Sequence, residues 1–435
     1  MRIILYVMSL LLTLTSCTYE EVIDISDKST VFKRSNKHYS NSNNNTIISK
    51  DPTTIDESDG VFNKQSVSKP VKIALLIPIT GKYEDIGKNL LDAAQLALFS
   101  INSSDLILVP LDTKGTSYGA VEAVNKAVEE NVNIILGPVF GKSAIAIAKI
   151  AEENNLSVVS FSNDKSLAGT GVFAMGFRPE QQISRIIDFA MEQQIEDFAA
   201  ILPSSAYGAA VAKELREKVA TNNKTSILKT EIYSDDNGKP INLSQHVSSA
   251  FESLMNNKSP KDYDEGLKSF NQSNIKFPRA LLIPEGGEQL KEVVDLLKTF
   301  QHDRNYIQLL GSSAWYDYTH LTNPVLEGAW FVTSPKERRV AFEDKFSSTF
   351  NYKPHKLASL AYDGIALAAT VSRLSEGKEF SKELLSNPRG FMGVDGIFRF
   401  TEDGLTERGL AILQINNGQF ETISPAPTRF YDKEY

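Results

Sequence analysis

From Val71 onward the chain alternates between continuous apolar runs and segments of helical spacing. The run VKIALLIP (Val71 to Pro78) is rich in branched residues and bounded by Pro and Gly, which predicts a strand buried on both faces of a parallel sheet. Leu90, Leu91, Ala94 and Leu98 recur at helical spacing within Gly87 to Ser100, and LILVPL (Leu106 to Leu111) is strand-like again. Ala120 to Val128, Asn133 to Pro138, Ala144 to Ala151 and Leu156 to Phe161 continue as helix, strand, helix and strand. The pattern restarts with a helix over Gln181 to Met191, a strand over Phe198 to Pro203 and a helix over Ala209 to Val219. Ser226 to Tyr233, Arg279 to Pro284, Ile307 to Gly311 and Gly328 to Ser334 are further strands, with Leu290 to Phe300 helical. Strand–helix alternation implies right-handed βαβ units. The predicted fold class is α/β, with two doubly wound parallel-sheet lobes and a cleft between the carboxyl ends of their strands, where open α/β sheets bind ligands.

Before Val71 the pattern is different. Met1-Arg2, an apolar stretch from Ile3 to Leu14 and the exit Leu14-Thr15-Ser16-Cys17 have the layout of a secretory signal. The stretch falls short of the roughly 20 apolar residues that span a bilayer. Leu-Thr-Ser-Cys resembles the lipobox of bacterial lipoproteins, which implies cleavage and acylation at Cys17; the plainer reading is a chance cysteine after an ordinary signal. Acylation would anchor the protein to a membrane outside the cytoplasm by a lipid on Cys17. Thr18 after the cysteine, in place of Asp, implies export to the outer membrane if the resemblance holds. Residues 18–69 are polar and Asn/Ser-rich, and are predicted to be a disordered tether. About 50 such residues have an r.m.s. span on the order of 40 Å and extend to roughly 170 Å.

Composition narrows the function. Cys17 is the only cysteine of the 435 residues, so disulfides, thiolate metal sites and a cysteine nucleophile are excluded from the folded part. A net charge of −8 without a basic stripe argues against nucleic acid as a partner. The five histidines lie far apart, at 38, 246, 302, 320 and 355, and no pair has metal-ligand spacing. Neither a G-x-x-x-x-G-K-[ST] loop, a G-x-S-x-G elbow, an H-E-x-x-H helix nor a dinucleotide fingerprint is present. No catalytic residue, metal or cofactor is expected.

The loops that follow the strands supply the candidate cleft residues. In the first lobe they are Thr80 and Gly81, then Phe140, Gly141, Lys142 and Ser143, then Asn163 and Asp164. In the second they are Tyr207, then Glu285 and Gly286, then Ser312, Ser313 and Trp315. With IALLIPITGKYEDIGKNLLDAAQLAL, IILGPVFGKSA, Tyr207-Gly208 and Tyr362-Asp363, residues Val71 to about Ser424 resemble the type 1 periplasmic-binding proteins of the leucine/isoleucine/valine kind. The resemblance implies a hinge and three interlobe crossings near Phe177, Ser334 and Met392. The lobes would then run 70–177 and 178–334, with returns at 335–391 to the first and 392–435 to the second. SFSNDKSLAGTGVFAMGFRPEQQ, LLGSSAWYD, LASLAYDGIALAA and GFMGVDGIFRFTEDGLTERGLAILQI more narrowly resemble an alphaproteobacterial lipoprotein branch described as activators of penicillin-binding proteins. That implies a non-catalytic periplasmic regulator of peptidoglycan synthases, with penicillin-binding proteins as partners. The alternative is the substrate-binding component of an amino-acid or peptide ABC importer, with a small-molecule ligand in the cleft.

One departure separates the two. Amino-acid transporters of this kind hold the ligand carboxylate with serine hydroxyls after Gly-Pro and an Ala-Thr after the next strand. Phe140-Gly141 and Asn163-Asp164 stand there instead. Phe140 would fill ligand space, and Asp164 would repel a ligand carboxylate by several kcal/mol in a dry site. Lys142 is expected to neutralise Asp164; alternatively Asp164 caps the turn that follows. Tyr207 and Trp315 are read either as ligand contacts or as packing. Glu285 is read as an ammonium partner or as a charge favouring a helix N-terminus. Gly393 to Gly396 is read as a hairpin turn.

Overall fold

The computed structural model describes residues 23–24, 70–234, 239–256, 279–299, 307–377 and 379–430. Cys17 and its lipobox lie outside them, as does the tether except for β1, a two-residue strand at Ile23–Asp24. The first lobe is built from Val71–Ile77 (β2), Glu84–Ile101 (α1), Leu106–Asp112 (β3), Ser117–Glu129 (α2), Ile134–Leu136 (β4), Gly141–Glu153 (α3), Ser157–Ser160 (β5) and Val172–Ala174 (β6). Its sheet is wholly parallel, in the order β3-β2-β4-β5-β6. Pro179–Glu192 (α4), Asp197–Leu202 (β7), Ala206–Val219 (α5), Ser226–Ile232 (β8), Leu243–Asn256 (α6), Arg279–Ile283 (β9), Gly287–Thr299 (α7), Gln308–Gly311 (β10) and Trp330–Thr333 (β11) form the second. Its parallel strands run β8-β7-β9-β10-β11, so the order of the first lobe is repeated. The antiparallel strands Ala411–Asn416 (β15) and Gln419–Ser424 (β16) extend that sheet beyond β11.

Alternation along each buried strand assigns its residues to two cores, one per sheet face. Ile73, Leu75 and Ile77 pack on one side of β2, Ala74 and Leu76 on the other. Along β7, Ala199 and Ile201 face one core while Phe198, Ala200 and Leu202 face the second. This is the double burial that the apolar runs predict. Helix α1 carries Glu84 and Asp85 in its first turn, where the helix dipole favours acids. It ends at Asn102, whose φ of 50° gives a left-handed cap.

After β11 the chain returns to the first lobe as Lys336–Phe350 (α8) and Ala358–Leu374 (α9), followed by the short helix Lys382–Leu385 (α10). Helix α9 is buried at every position from Ala358 to Val371. Strands Phe391–Gly393 (β12), Gly396–Phe400 (β13) and Thr406–Arg408 (β14) then form a small antiparallel sheet. Gly393 pairs with Gly396, so Val394 and Asp395 are the hairpin turn predicted there. Phe391, Val394, Phe398 and Phe400 belong to the core of the first lobe, whereas Leu410 and Ile412 belong to that of the second. The third crossing therefore lies at Gly409, not near Met392 as expected. Burying this aromatic hairpin against α9 and β6 keeps the chain in the first lobe for one more sheet. The first crossing falls between Ala174 of β6 and Pro179 of α4, and the second between Thr333 of β11 and Lys336 of α8.

β1 pairs in parallel with β12, Ile23 opposite Phe391 and Asp24 opposite Met392. Val22-Ile23-Asp24-Ile25 is an aliphatic cluster within the otherwise polar tether, which accounts for this departure from the predicted disorder. Among the described residues no helix is long and apolar enough to cross a membrane.

The placement of the aromatic hairpin is testable. Phe398→Ala should destabilise the protein by about 3–5 kcal/mol. Hydrogen exchange should then accelerate in β2 and β4 of the first lobe and not in β9 and β10 of the second.

Candidate ligand cleft

The loops at the carboxyl ends of β2 to β5 make the first wall. Asp112, at the end of β3, organises it. Its carboxylate accepts from the backbone N–H groups of Ile79 (2.9 Å), Thr80 (3.3 Å) and Lys114 (2.8 Å), and from the Thr80 hydroxyl (2.6 Å). Burial pushes the Asp112 carboxyl up, but the hydrogen bonds from Thr80, Lys114 and Ile79 outweigh it and leave the pKa lowered. Thr80 is thus held by the protein itself. Gly81 has a φ of 91° and supplies the left-handed turn behind it. Phe140 packs on Tyr83 with ring centroids 4.7 Å apart. Gly115 makes room for that pair, since a Cβ there would lie 2.6 Å from the Tyr83 ring. Asp112, Tyr83 and Gly115 are additions to the expected residues. Asp112 escaped notice because the predicted strand stops at Leu111.

Phe140 also precedes α3, so the first turn of that helix opens toward the cleft at Gly141, Lys142 and Ser143, the last of them buried. A helix N-terminus favours an anion. Here Asp164 supplies one: its carboxylate lies against Gly141 so closely that a Cβ on the glycine would run into it. The same carboxylate accepts from the Ser166 N–H at 2.9 Å and caps the short helix Lys165–Leu167. No ion pair with Lys142 forms, contrary to the expected neutralisation; the Ser166 N–H is the donor to this carboxylate, which caps the turn as in the alternative reading. Asn163 donates to the Phe177 carbonyl at 3.0 Å and ties the end of β5 to the first crossing.

The second wall comes from β7, β9 and β10. Tyr207, in the first turn of α5, donates its hydroxyl to the Pro284 carbonyl at 3.0 Å. The Ser312 hydroxyl donates to the same carbonyl. Trp315 is fully buried and donates its indole N–H to the Glu285 carbonyl at 2.8 Å. Its ring lies under Gly311, where no side chain would fit. Trp315 is therefore floor, not lining. Gly286 packs closely on the Ala314 backbone, and the Ser313 N–H donates to Gln182 at 3.0 Å.

Glu285 breaks this self-sufficiency. The residue is half-buried, and its Oε2 is shielded from solvent with no hydrogen-bond partner. Burial pushes its pKa up. Burial also raises the Tyr207 pKa, Ser312 opposes that rise, and the Glu285 charge adds to it. The strand ends thus bring together Thr80, Gly81, Phe140, Gly141, Lys142, Ser143, Asn163 and Asp164 on one lobe. Tyr207, Glu285, Gly286, Ser312, Ser313 and Trp315 come together on the other. No hydrogen bond or ion pair joins the two sets among the described residues. A separate surface cavity of about 810 Å³ lies between β8 and α6, lined by Lys229, Asn242, Ser248 and Glu252 among others, and shares none of these residues. Its charges are exposed and no orphaned group points into it, so the cleft is the better candidate.

The profile of the periplasmic binding proteins matches residues 70–419. The chain belongs to that family. Similar solved structures show the same two-lobed fold. One is a protein assigned to a branched-chain amino acid ABC transporter of Rhodospirillum rubrum, with a TM-score of 0.68 and 18% identity over 81% of this chain and all of that one. Another is the binding protein LivJ of Streptococcus pneumoniae with isoleucine bound, with a TM-score of 0.52 and 19% identity over 82% of this chain and all of that one. In sequence the chain is 22% identical to an uncharacterized protein of Rickettsia prowazekii, over 82% of this chain and 89% of that protein. It is 24% identical to the Leu/Ile/Val-binding protein BraC3 of Rhizobium johnstonii, over 38% and 48% of the two chains. Family membership implies a periplasmic location, and binding proteins of this fold hold small molecules between their lobes without catalysis.

Glu285 offers a pH test of the cleft. Its folded pKa lies above its unfolded value, so its contribution to stability is complete below the unfolded pKa and is lost as pH rises through the folded one. Glu285→Gln removes that loss. Without ligand, the variant should melt at the same temperature as the parent at pH 4 and higher at pH 7.

Proposed function

We propose that the protein is a non-catalytic periplasmic module, held to a membrane by a lipid on Cys17, that regulates peptidoglycan synthases instead of delivering free branched-chain amino acids. The Asp164 carboxylate supports this reading. It lies against Gly141 at the α3 N-terminus, where the resembled transporters hold the ligand's carboxylate. A second carboxylate brought to about 4 Å would meet repulsion of roughly 4 kcal/mol at an effective dielectric of 20. Phe140, packed on Tyr83, takes further space on the same wall. The sequence resemblance over Ser160 to Gln182 and Gly390 to Ile415 supplies the partner class, the penicillin-binding proteins. Export to the outer membrane by way of Cys17 and Thr18 belongs to the same proposal.

The second reading, the binding component of an ABC importer, is favoured by Glu285. Its orphaned oxygen beside Tyr207 suits an ammonium group. An importer using this cleft would carry an amine that brings no carboxylate of its own.

Thermal denaturation with added leucine, isoleucine, valine and their decarboxylated amines separates these readings. A ligand at 100 times its Kd adds about 2.7 kcal/mol, a shift of several degrees. We expect no shift with the three amino acids, together with retention of the protein by purified penicillin-binding proteins. A clear shift with any of the three amino acids would overturn the account of Asp164. A shift with the amines and no retention would make transport the function.

A further inference from the structure

A buried charged cluster sits where the three crossings meet. Asp363 projects from α9, Asp395 from the β12–β13 turn, Arg408 from the end of β14 and Arg339 from the first turns of α8. Both aspartates are fully buried and Arg408 is 7% exposed. Both arginines adjoin a crossing. Arg408 immediately precedes the third and donates to the Met175 carbonyl of the first at 2.7 Å, its guanidinium 4.7 Å from the Phe177 ring. Arg339 follows the second crossing, whose Pro335 packs against Gly396 beside the turn. Thr406 receives Gln181 of the second lobe on its carbonyl at 2.6 Å.

The charges in this cluster are incompletely paired. Arg339 approaches Asp395 Oδ1 at 2.7 Å and also pairs with Glu343. Asp395 Oδ2 has no hydrogen-bond partner, and neither have Nε and Nη1 of Arg408. A buried acceptor and two buried donors are thus orphaned in one site, although Asp395 exerts the largest electrostatic attraction on Arg408. Leaving such groups unmade is costly, at about 1–3 kcal/mol each. The backbone of the crossings turns when lobes close. Arg408 is bonded to the first crossing and adjoins the third, and Arg339 follows the second. A change of lobe angle therefore bears on which of the two arginines reaches Asp395, although all four residues sit on the first lobe. We propose that this cluster is a latch on the hinge, in which Asp395 is held by Arg339 in one lobe arrangement and by Arg408 in the other.

Asp363 selects between them. It accepts from the Val394 N–H at 2.9 Å and so holds the turn that carries Asp395. Burial first, and then the Asp395 charge, push its pKa up to about 7, against the opposing pull of the Val394 N–H and Arg408. The groups facing it are Asp395, Arg408 and the turn amides, with Arg339 and Glu343 beyond Asp395. In this structure Asp395 stays with Arg339, the arrangement expected when Asp363 is ionised and adds its own attraction on Arg408 to that of Asp395. When Asp363 is neutral, Asp395 is the one anion left for Arg408 and is drawn away from Arg339. The neutral form is the one the fold favours below pH 7, and that preference is lost as pH rises through the folded value.

Spin labels on the full chain carrying Cys17→Ser, at Lys149→Cys in the first lobe and Lys213→Cys in the second, report the lobe angle. The interlobe distance distribution should change between pH 6 and pH 8, with a midpoint near 7. Adding Asp363→Asn should give the pH 6 distribution at both values. An unchanged distance across this range, or an undiminished response in Asp363→Asn, would overturn the latch. Should Asp363→Asn fail to fold, exchange of the Val394 and Asp395 amides in the parent replaces it. Their protection, corrected for intrinsic rates, should change across pH 7, and constant protection would overturn the proposal equally.

Discussion

A parallel sheet cannot leave one face in water, because the crossovers that join its strands place helices on both sides. This chain meets that constraint twice, with the same strand order in each lobe and a pair of cores around each sheet. The organisation of the loops follows from it. With every strand of a parallel sheet pointing the same way, the loops at the carboxyl ends are gathered at one edge, and the helix N-termini that follow them open there too. The cleft is where two such edges belong. The aromatic hairpin of β12 and β13 is a third layer of the first lobe, and it brings the last crossing close to the other two.

The two walls differ in how far the protein satisfies them. In the first lobe the acids are answered from within: Asp112 by three backbone N–H groups and a hydroxyl, Asp164 by the Ser166 N–H. In the second lobe the polar side chains Tyr207 and Ser312 share the Pro284 carbonyl, and among the candidate wall residues Glu285 keeps a shielded oxygen without a donor. On the importer reading, recognition would be concentrated on that side. An orphaned carboxylate oxygen in a shielded position discriminates by what it lacks, because a neutral or anionic group placed there leaves it unsatisfied.

Much of the fold was legible because burial on both faces writes itself as unbroken apolar runs: β2 and β9 fall within the runs that predict them, and β7 begins one residue before its run, at Asp197. Helix α8 did not announce itself. Only Phe342 and Phe346 of its fifteen residues are buried, so its sequence shows almost no apolar face. The candidate cleft residues could be located because loop position follows from topology. Their partners could not, since Asp164's placement over Gly141 depends on how β5 and α3 approach each other. Tyr362-Asp363 stood out as part of a resemblance without a role. An aspartate inside the apolar segment LASLAYDGIALAA was the signal available. Its partners Asp395 and Arg408 come from a hairpin and a strand that the sequence pattern did not join to α9.

The pairing of Ile23 and Asp24 with Phe391 and Met392 bears on how far the folded part can travel. Both ends of the stretch from 25 to 69 then lie on the first lobe, so its length adds nothing to the distance between residue 17 and the domain. If the proposed lipid on Cys17 is present, the anchor would reach the first lobe through the six steps from residue 17 to residue 23, on the order of 20 Å when extended. A two-residue pairing is weak, and pulling it apart would restore the full length at once.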